Sequence, residues 1–228
     1  MQQYKTDKDT NLEFLDIDHH SSQAIIMLHG FGASMFDLYS LHQVMDRDKK
    51  YDWYFPNAPL ELMPGHLMGR AWFNIDMQEL ELAMQKGEHR KFADKEPSEL
   101  FKGVSLVESF IKARSSQYDK IILGGFSQGA MVSSHLALNT DLSIEKLILF
   151  SGTLIAREKL LKAQNKNRLR FFQSHGKNDP VLEYAQAKEL FEALKLLGHT
   201  GEFVSFEGAH EIPMEVLSKV SQFLNNEN

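Results

Sequence analysis

The chain has 228 residues, 43% hydrophobic and 25% charged, a balance that suits one soluble α/β domain spanning 1–228 with a buried core. Its 25 Lys+Arg against 31 Asp+Glu give a formal net charge of −6, which argues against nucleic acid as a partner, because phosphate binding requires concentrated positive charge. Cys is absent, which excludes disulfides, a thiolate nucleophile and Cys-ligated metal.

The polar start, MQQYKTDKDT, lacks the apolar core of a signal peptide, and no apolar run is long enough to cross a bilayer. A cytoplasmic protein without stable membrane insertion is expected. Strands are predicted at Leu12–Ile17, Ala24–Leu28, Trp53–Phe55, Lys120–Leu123, Lys146–Phe150, Leu169–Gln173 and Glu202–Phe206. Several are continuous apolar runs, the pattern of parallel strands covered on both faces. Between them lie amphipathic helices. Ser98 is placed as the cap of one that buries Leu100, Val104, Val107 and Ile111. A second carries Ala187, Leu190, Phe191, Leu194 and Leu197 and stops at Gly198, and Pro213 opens the last. From Asn57 to Pro97 no strand is evident, and Met63, Met68, Met77 and Met84 recur there. That long connection is expected to form a pocket wall or lid-like segment over residues 57–97.

The stretch IILGGFSQGA places Gly125-Phe126-Ser127-Gln128-Gly129 between a strand and a helix. This is G-x-S-x-G, the nucleophile elbow, in which a tight turn lifts the Ser hydroxyl above the sheet at the positive end of a helix. An alcohol needs a base to attack at neutral pH, and the elbow's usual partners follow in the order acid, then His. Asp179 lies in the loop after the strand LRFFQSHG, and His210 in the loop after EFVSFEG. Glu183 and Glu207 are rival carboxylates, and His175 is a rival base that precedes the carboxylate. Backbone N–H donors are also required for the tetrahedral intermediate. Gln128 supplies one. The run His29-Gly30-Phe31-Gly32 is similar to an HGGG-type oxyanion loop and makes Phe31 the second.

Together the segments LHGFGA, FPNAP, GRAWF, GGFSQGAM, LILFSGTL, SHGKNDP and EGAHEIP resemble the phospholipase/carboxylesterase family, which includes the acyl-protein thioesterases. The resemblance implies an α/β-hydrolase fold with a mostly parallel sheet, helices on both faces and no large cap domain. It implies hydrolysis of carboxylic esters or thioesters without cofactor or metal. Ser127, Asp179 and His210 fall on the family's triad positions, and Phe31 and Gln128 on its oxyanion positions. Trp72 matches an aromatic residue near the acyl site. Ala130 stands where many members have Gly, and the 57–97 region looks more like bacterial esterase-like members.

The expected activity is a serine carboxylesterase acting on small-molecule, short to medium acyl esters through an acyl-enzyme. The alternatives are a lysophospholipase or acyl-protein thioesterase and a hydrolase-fold binding protein without turnover. The acyl chain is expected against Phe31, Leu62, Met63, Met68 and Trp72, because flexible Met side chains adapt to varied ligands. Monomer and homodimer both remain open.

Overall fold

Short apolar runs become strands here because helices cover both sides of them. The computed structural model describes residues 3–66, 69–86, 91–163 and 168–226. In chain order these form β1 (Lys5–Thr6), β2 (Glu13–Ile17), β3 (Gln23–Leu28), a 3-10 turn (Tyr39–Leu41), α1 (His42–Met45) and β4 (Asp52–Pro56). Then come β5 (Leu60–Glu61), β6 (Arg70–Ala71), α2 (Met77–Gln85), α3 (Ser98–Ser115), β7 (Lys120–Phe126) and α4 (Gln128–Asn139). The chain ends with β8 (Lys146–Phe150), α5 (Arg157–Leu161), β9 (Arg170–Gly176), α6 (Tyr184–Leu196), β10 (Thr200–Phe206) and α7 (Met214–Asn225).

Eight strands make one sheet in the order β1-β2-β4-β3-β7-β8-β9-β10. The pairs β1–β2 and β2–β4 are antiparallel, and every pair from β4 to β10 is parallel. Successive side chains of a strand point to opposite faces, and the core divides accordingly. Ile26, Leu28, Leu123, Leu147, Leu149 and Phe171 face the layer that contains Leu100, Val107, Leu136 and Leu190 of the helices. Ile25, Met27, Ile122, Ile148, Phe150 and Phe172 face the layer of Val216, Leu217, Val220 and Phe223. This is the mostly parallel α/β-hydrolase arrangement expected from the sequence, with no separate cap domain among the described residues. No helix among them is long and apolar enough to cross a membrane.

The differences from the sequence reading are local. Strands β7 and β9 run three residues further than expected, through the glycines of the elbow and of SHG, because neighbouring strands complete their ladders. The 57–97 segment does contain strands: β5 and β6 pair as a separate antiparallel ribbon. Two-residue strands are too short for alternation to register in a sequence. Ser98 is not a cap either. It is the first residue of α3, preceded by Pro97 in extended backbone (φ −61°, ψ 130°), and its hydroxyl bonds to Glu99 rather than to a backbone N–H. Likewise Pro213 precedes α7 as its extended N-terminal residue.

Candidate active site

Ser127 sits between β7 and α4 with φ 54° and ψ −115°, a left-handed conformation costly for a residue with a side chain. The flanking glycines are dictated by space. A Cβ on Gly125 would lie 2.4 Å from the carbonyl carbon of Gly129, and one on Gly129 would lie 2.0 Å from the Leu28 carbonyl oxygen. The Ser127 N–H donates to the Phe150 carbonyl (2.8 Å), which ties the strained residue to the neighbouring strand β8. Gln128 is the first residue of α4, so its N–H belongs to the turn that has no intrahelical acceptor and stays available.

The peptide that carries the second expected donor, the Phe31 N–H, is oriented by His29. Its Nδ1–H donates to the Gly30 carbonyl (2.8 Å), while its Nε2 accepts the Ala58 N–H (3.0 Å), which fixes the tautomer. The Gly30 carbonyl and the Phe31 N–H belong to one trans peptide and point in opposite directions. Holding the carbonyl therefore aims the Phe31 N–H the other way. The Ala33 N–H also donates to Gly30 (3.3 Å), and Arg70 straps the loop through Gly32 N–H to Arg70 O and Arg70 N–H to Ala33 O, both 2.9 Å. Burial pushes the His29 pKa down to about 4, so the ring is neutral at pH 7.

Asp179 and His210 come from the loops after β9 and β10, which are strapped together by Lys177 N–H to Phe206 O (2.9 Å) and Asn178 N–H to Gly208 O (3.0 Å). His210 Nδ1–H donates to Asp179 Oδ2 at 2.7 Å, which leaves Nε2 as the basic nitrogen. The other carboxylate oxygen of Asp179 accepts the N–H groups of Val181 (2.8 Å) and Leu182 (2.9 Å). Burial favours the neutral acid, but hydrogen bonds from His175 and His210, the charge on His210 and the Leu182 N–H outweigh it. Its pKa consequently lies well below the ordinary carboxylate value. His175 is fully buried. Its Nε2–H reaches the Leu182 carbonyl (2.8 Å) and lies 3.2 Å from Asp179 Oδ2, so it supports the carboxylate rather than reaching the cavity.

Ser127, His210, Phe31 and Gln128 line one cavity of about 270 Å³. Its remaining wall is mostly apolar, from Phe73, Ile75, Phe92, Met131, Val181 and Leu182. Of the residues expected at the acyl chain, the structure brings Phe31 to this cavity. Leu62 and Met63 lie after β5 in the ribbon, 38% and 52% exposed, and are not among the lining residues. Trp72 is completely buried: its indole N–H donates to the His29 carbonyl (2.9 Å) and its backbone N–H to Gln128 Oε1 (2.7 Å). Met68 lies outside the described residues. Glu183 precedes α6, and Glu207 pairs with Lys177, so neither takes the place of Asp179 beside His210.

Sequence reasoning missed the Gln128 side chain, which clamps Trp72 N–H and the Phe73 carbonyl (2.7 Å) and so joins the elbow to the pocket wall. It also missed Val181 and Leu182. Their position directly after Asp179 was the available signal. No group of three or more acidic, His or Cys side chains able to hold a metal occurs among the described residues.

Comparison with known proteins adds a second line of observation. The family model described as phospholipase/carboxylesterase matches residues 13–228. An acyl-protein thioesterase 1 from Candida albicans is 32% identical over 221 residues, covering 89% of this chain and 91% of that protein. Its counterpart from Debaryomyces hansenii is 29% identical over 221 residues, covering 90% and 91%. Among solved structures, the esterase PE8 superimposes with a TM-score of 0.77 at 23% identity, covering 94% of this chain and 98% of that one. At that identity the likeness bears on the fold alone.

Proposed function

The chain belongs to the phospholipase/carboxylesterase family and is a serine-type hydrolase; from that premise we propose that it hydrolyses short to medium acyl esters through an acyl-enzyme at Ser127. One observation carries the reading. A serine in a strained elbow shares a largely apolar cavity with a histidine whose far nitrogen is held by a buried carboxylate.

In this proposal His210 Nε2 accepts the Ser127 proton as Oγ attacks the acyl carbon. Asp179 stays ionised, fixes the tautomer and stabilises the imidazolium without taking the proton. The N–H groups of Phe31 and Gln128 receive the oxyanion. They are placed before the reaction begins, so no reorganisation is required at the transition state. The imidazolium then protonates the leaving group, and His210 activates water to release the acid. The 57–97 segment contributes to the acyl wall through Phe73, Ile75 and Phe92, and Met131, Val181 and Leu182 complete it, in place of Leu62, Met63 and Trp72. A cavity of this size and apolar character supports short to medium chains.

A second reading, thioester hydrolysis by the same groups, is favoured by the name of the 32%-identical relative, acyl-protein thioesterase 1. The deciding experiment measures kcat/KM for oxygen and thiol esters of one acyl series. The ester reading expects turnover of the oxygen esters with a shallow maximum at short to medium chains. Turnover confined to thioesters would replace it with the second reading.

A further inference from the structure

The cavity wall contains one carboxylate that the reaction does not use. Asp37 follows the oxyanion loop, its backbone N–H bonded to the Ser34 carbonyl (3.0 Å), and it lines the same cavity as Ser127 and His210. Its side chain is exposed to solvent, and partial desolvation at the cavity raises its carboxyl pKa. Among the described residues, no hydrogen-bond donor or cation pairs with its side chain. The charged neighbour on the strap, Arg70, directs its guanidinium to Glu13 (3.0 Å) and Glu61 (3.3 Å). Among the described residues no Lys or Arg lines the cavity, and His210 is engaged with Asp179. Four phenylalanines, Phe31, Phe73, Phe92 and Phe126, line it as well.

A carboxylate on the wall of a largely apolar cavity, with no cation paired to it among the described residues, attracts a positive charge that enters the cavity. Aromatic side chains beside a carboxylate are also the surroundings that attract alkylammonium groups, through the negative faces of the rings. The net charge of −6 adds a long-range field of the same sign. We propose that Asp37 makes the catalytic cavity selective for acyl esters or thioesters that carry a cationic alkylammonium group. This rests on the esterase reading above and names its substrate class. Anionic substrates, whose charge would meet that of Asp37, are disfavoured by the same arrangement.

The test compares matched esters that differ only in charge. Butyrylcholine is paired with the ester in which carbon replaces its quaternary nitrogen, which places the charge on the alcohol side. The methyl ester of a trimethylammonio fatty acid and its all-carbon isostere place it on the acyl side. Each kcat/KM is normalised to the alkaline hydrolysis rate of the same ester. In the wild-type protein at least one pair should favour the cation by about tenfold at low salt, and added salt should reduce that ratio. In Asp37→Asn the ratio should fall to near one, whatever happens to the absolute rates. A wild-type ratio at or below one in both pairs, or a ratio that Asp37→Asn leaves unchanged, overturns the proposal. The wild-type ratio and its salt dependence decide the matter even if the variant fails to fold. Failure of every ester, charged and neutral, is a different result and contradicts the esterase reading itself.

Discussion

The proposed catalytic edge and the pocket wall are built by different means. Ser127, Asp179 and His210 each stand just beyond the end of a parallel strand, in short turns whose backbone groups are tied to neighbouring strands and loops. The wall residues Phe73, Ile75 and Phe92 come from a segment whose secondary structure, among its described residues, is a ribbon of two-residue strands and one short helix, α2. At the edge, position follows from strand order. In the wall, it follows from tertiary contacts such as the Gln128 clamp on Trp72 and Phe73. The difference teaches that chemistry and substrate choice are separable here. Damage to the edge should act on turnover of every substrate, whereas damage to the wall should act on which acyl chain is preferred.

The largest effect is expected at the nucleophile. Ser127→Ala should lower kcat by on the order of 10⁵ or more and leave thermal unfolding close to wild type, since the Cβ that meets the strained backbone is kept and only the attacking hydroxyl is lost. Near-wild-type turnover of a folded variant would place the chemistry elsewhere. Asp179→Asn comes next, with a loss of about 10⁴ in kcat from the wrong His210 tautomer. Steady-state kinetics on the purified variant checks it, and a loss below about tenfold would separate Asp179 from the edge.

His29 sharpens the comparison because it sits at the edge without touching substrate. Replacing it with Ala frees the Gly30 peptide and should lower kcat by about 10–100-fold with little change in KM, as expected for a donor used mainly in the transition state. His29→Asn, which can still donate to Gly30, should recover part of that loss. The same residue sets a stability signature. Its folded pKa, about 4, lies below the ordinary histidine value, so the unfolded chain binds a proton that the fold refuses. Stability is therefore complete above the ordinary value and lost as pH falls from about 6.5 towards 4, by roughly 3 kcal/mol from this group. Buried His135, lowered in the same direction, adds to the slope. Denaturant unfolding at pH 7 and 5 should show the drop, and His29→Asn should flatten it. An equal slope in that variant would remove His29 as its cause.

The smallest effects belong to the wall. Met131→Ala and Ile75→Ala should shift the preferred acyl chain by one or two carbons, about 1–3 kcal/mol in relative kcat/KM. Met63→Ala, on the exposed ribbon, should leave the profile unchanged. A profile that responds to Met63 and ignores Met131 would reverse the assignment of the wall.

Much of this was legible in the sequence because its signals are local. The elbow requires two glycines around Ser127 for reasons of a few ångströms, and a loop after each of two apolar strands narrows Asp179 and His210 to short stretches. The sheet was legible for the same reason, as its strands are continuous apolar runs. The wall was not. Leu62 and Met63 are as apolar as Phe73 and Ile75, and only the ribbon, whose strands are too short to leave a pattern, separates those that face the cavity from those that face solvent. Trp72 shows a related limit: its residue type suggests a ligand contact, yet both of its nitrogen donors are engaged, one with the His29 carbonyl and one with the Gln128 side chain.

The most direct measurement is reaction of the wild-type protein with a fluorophosphonate, followed by peptide mass spectrometry. The account predicts one covalent adduct per chain, on the oxygen of Ser127, with loss of esterase activity in step with labelling and much slower labelling in Asp179→Asn. An intact, folded protein left unlabelled, or one labelled at another residue while activity disappears, would contradict it.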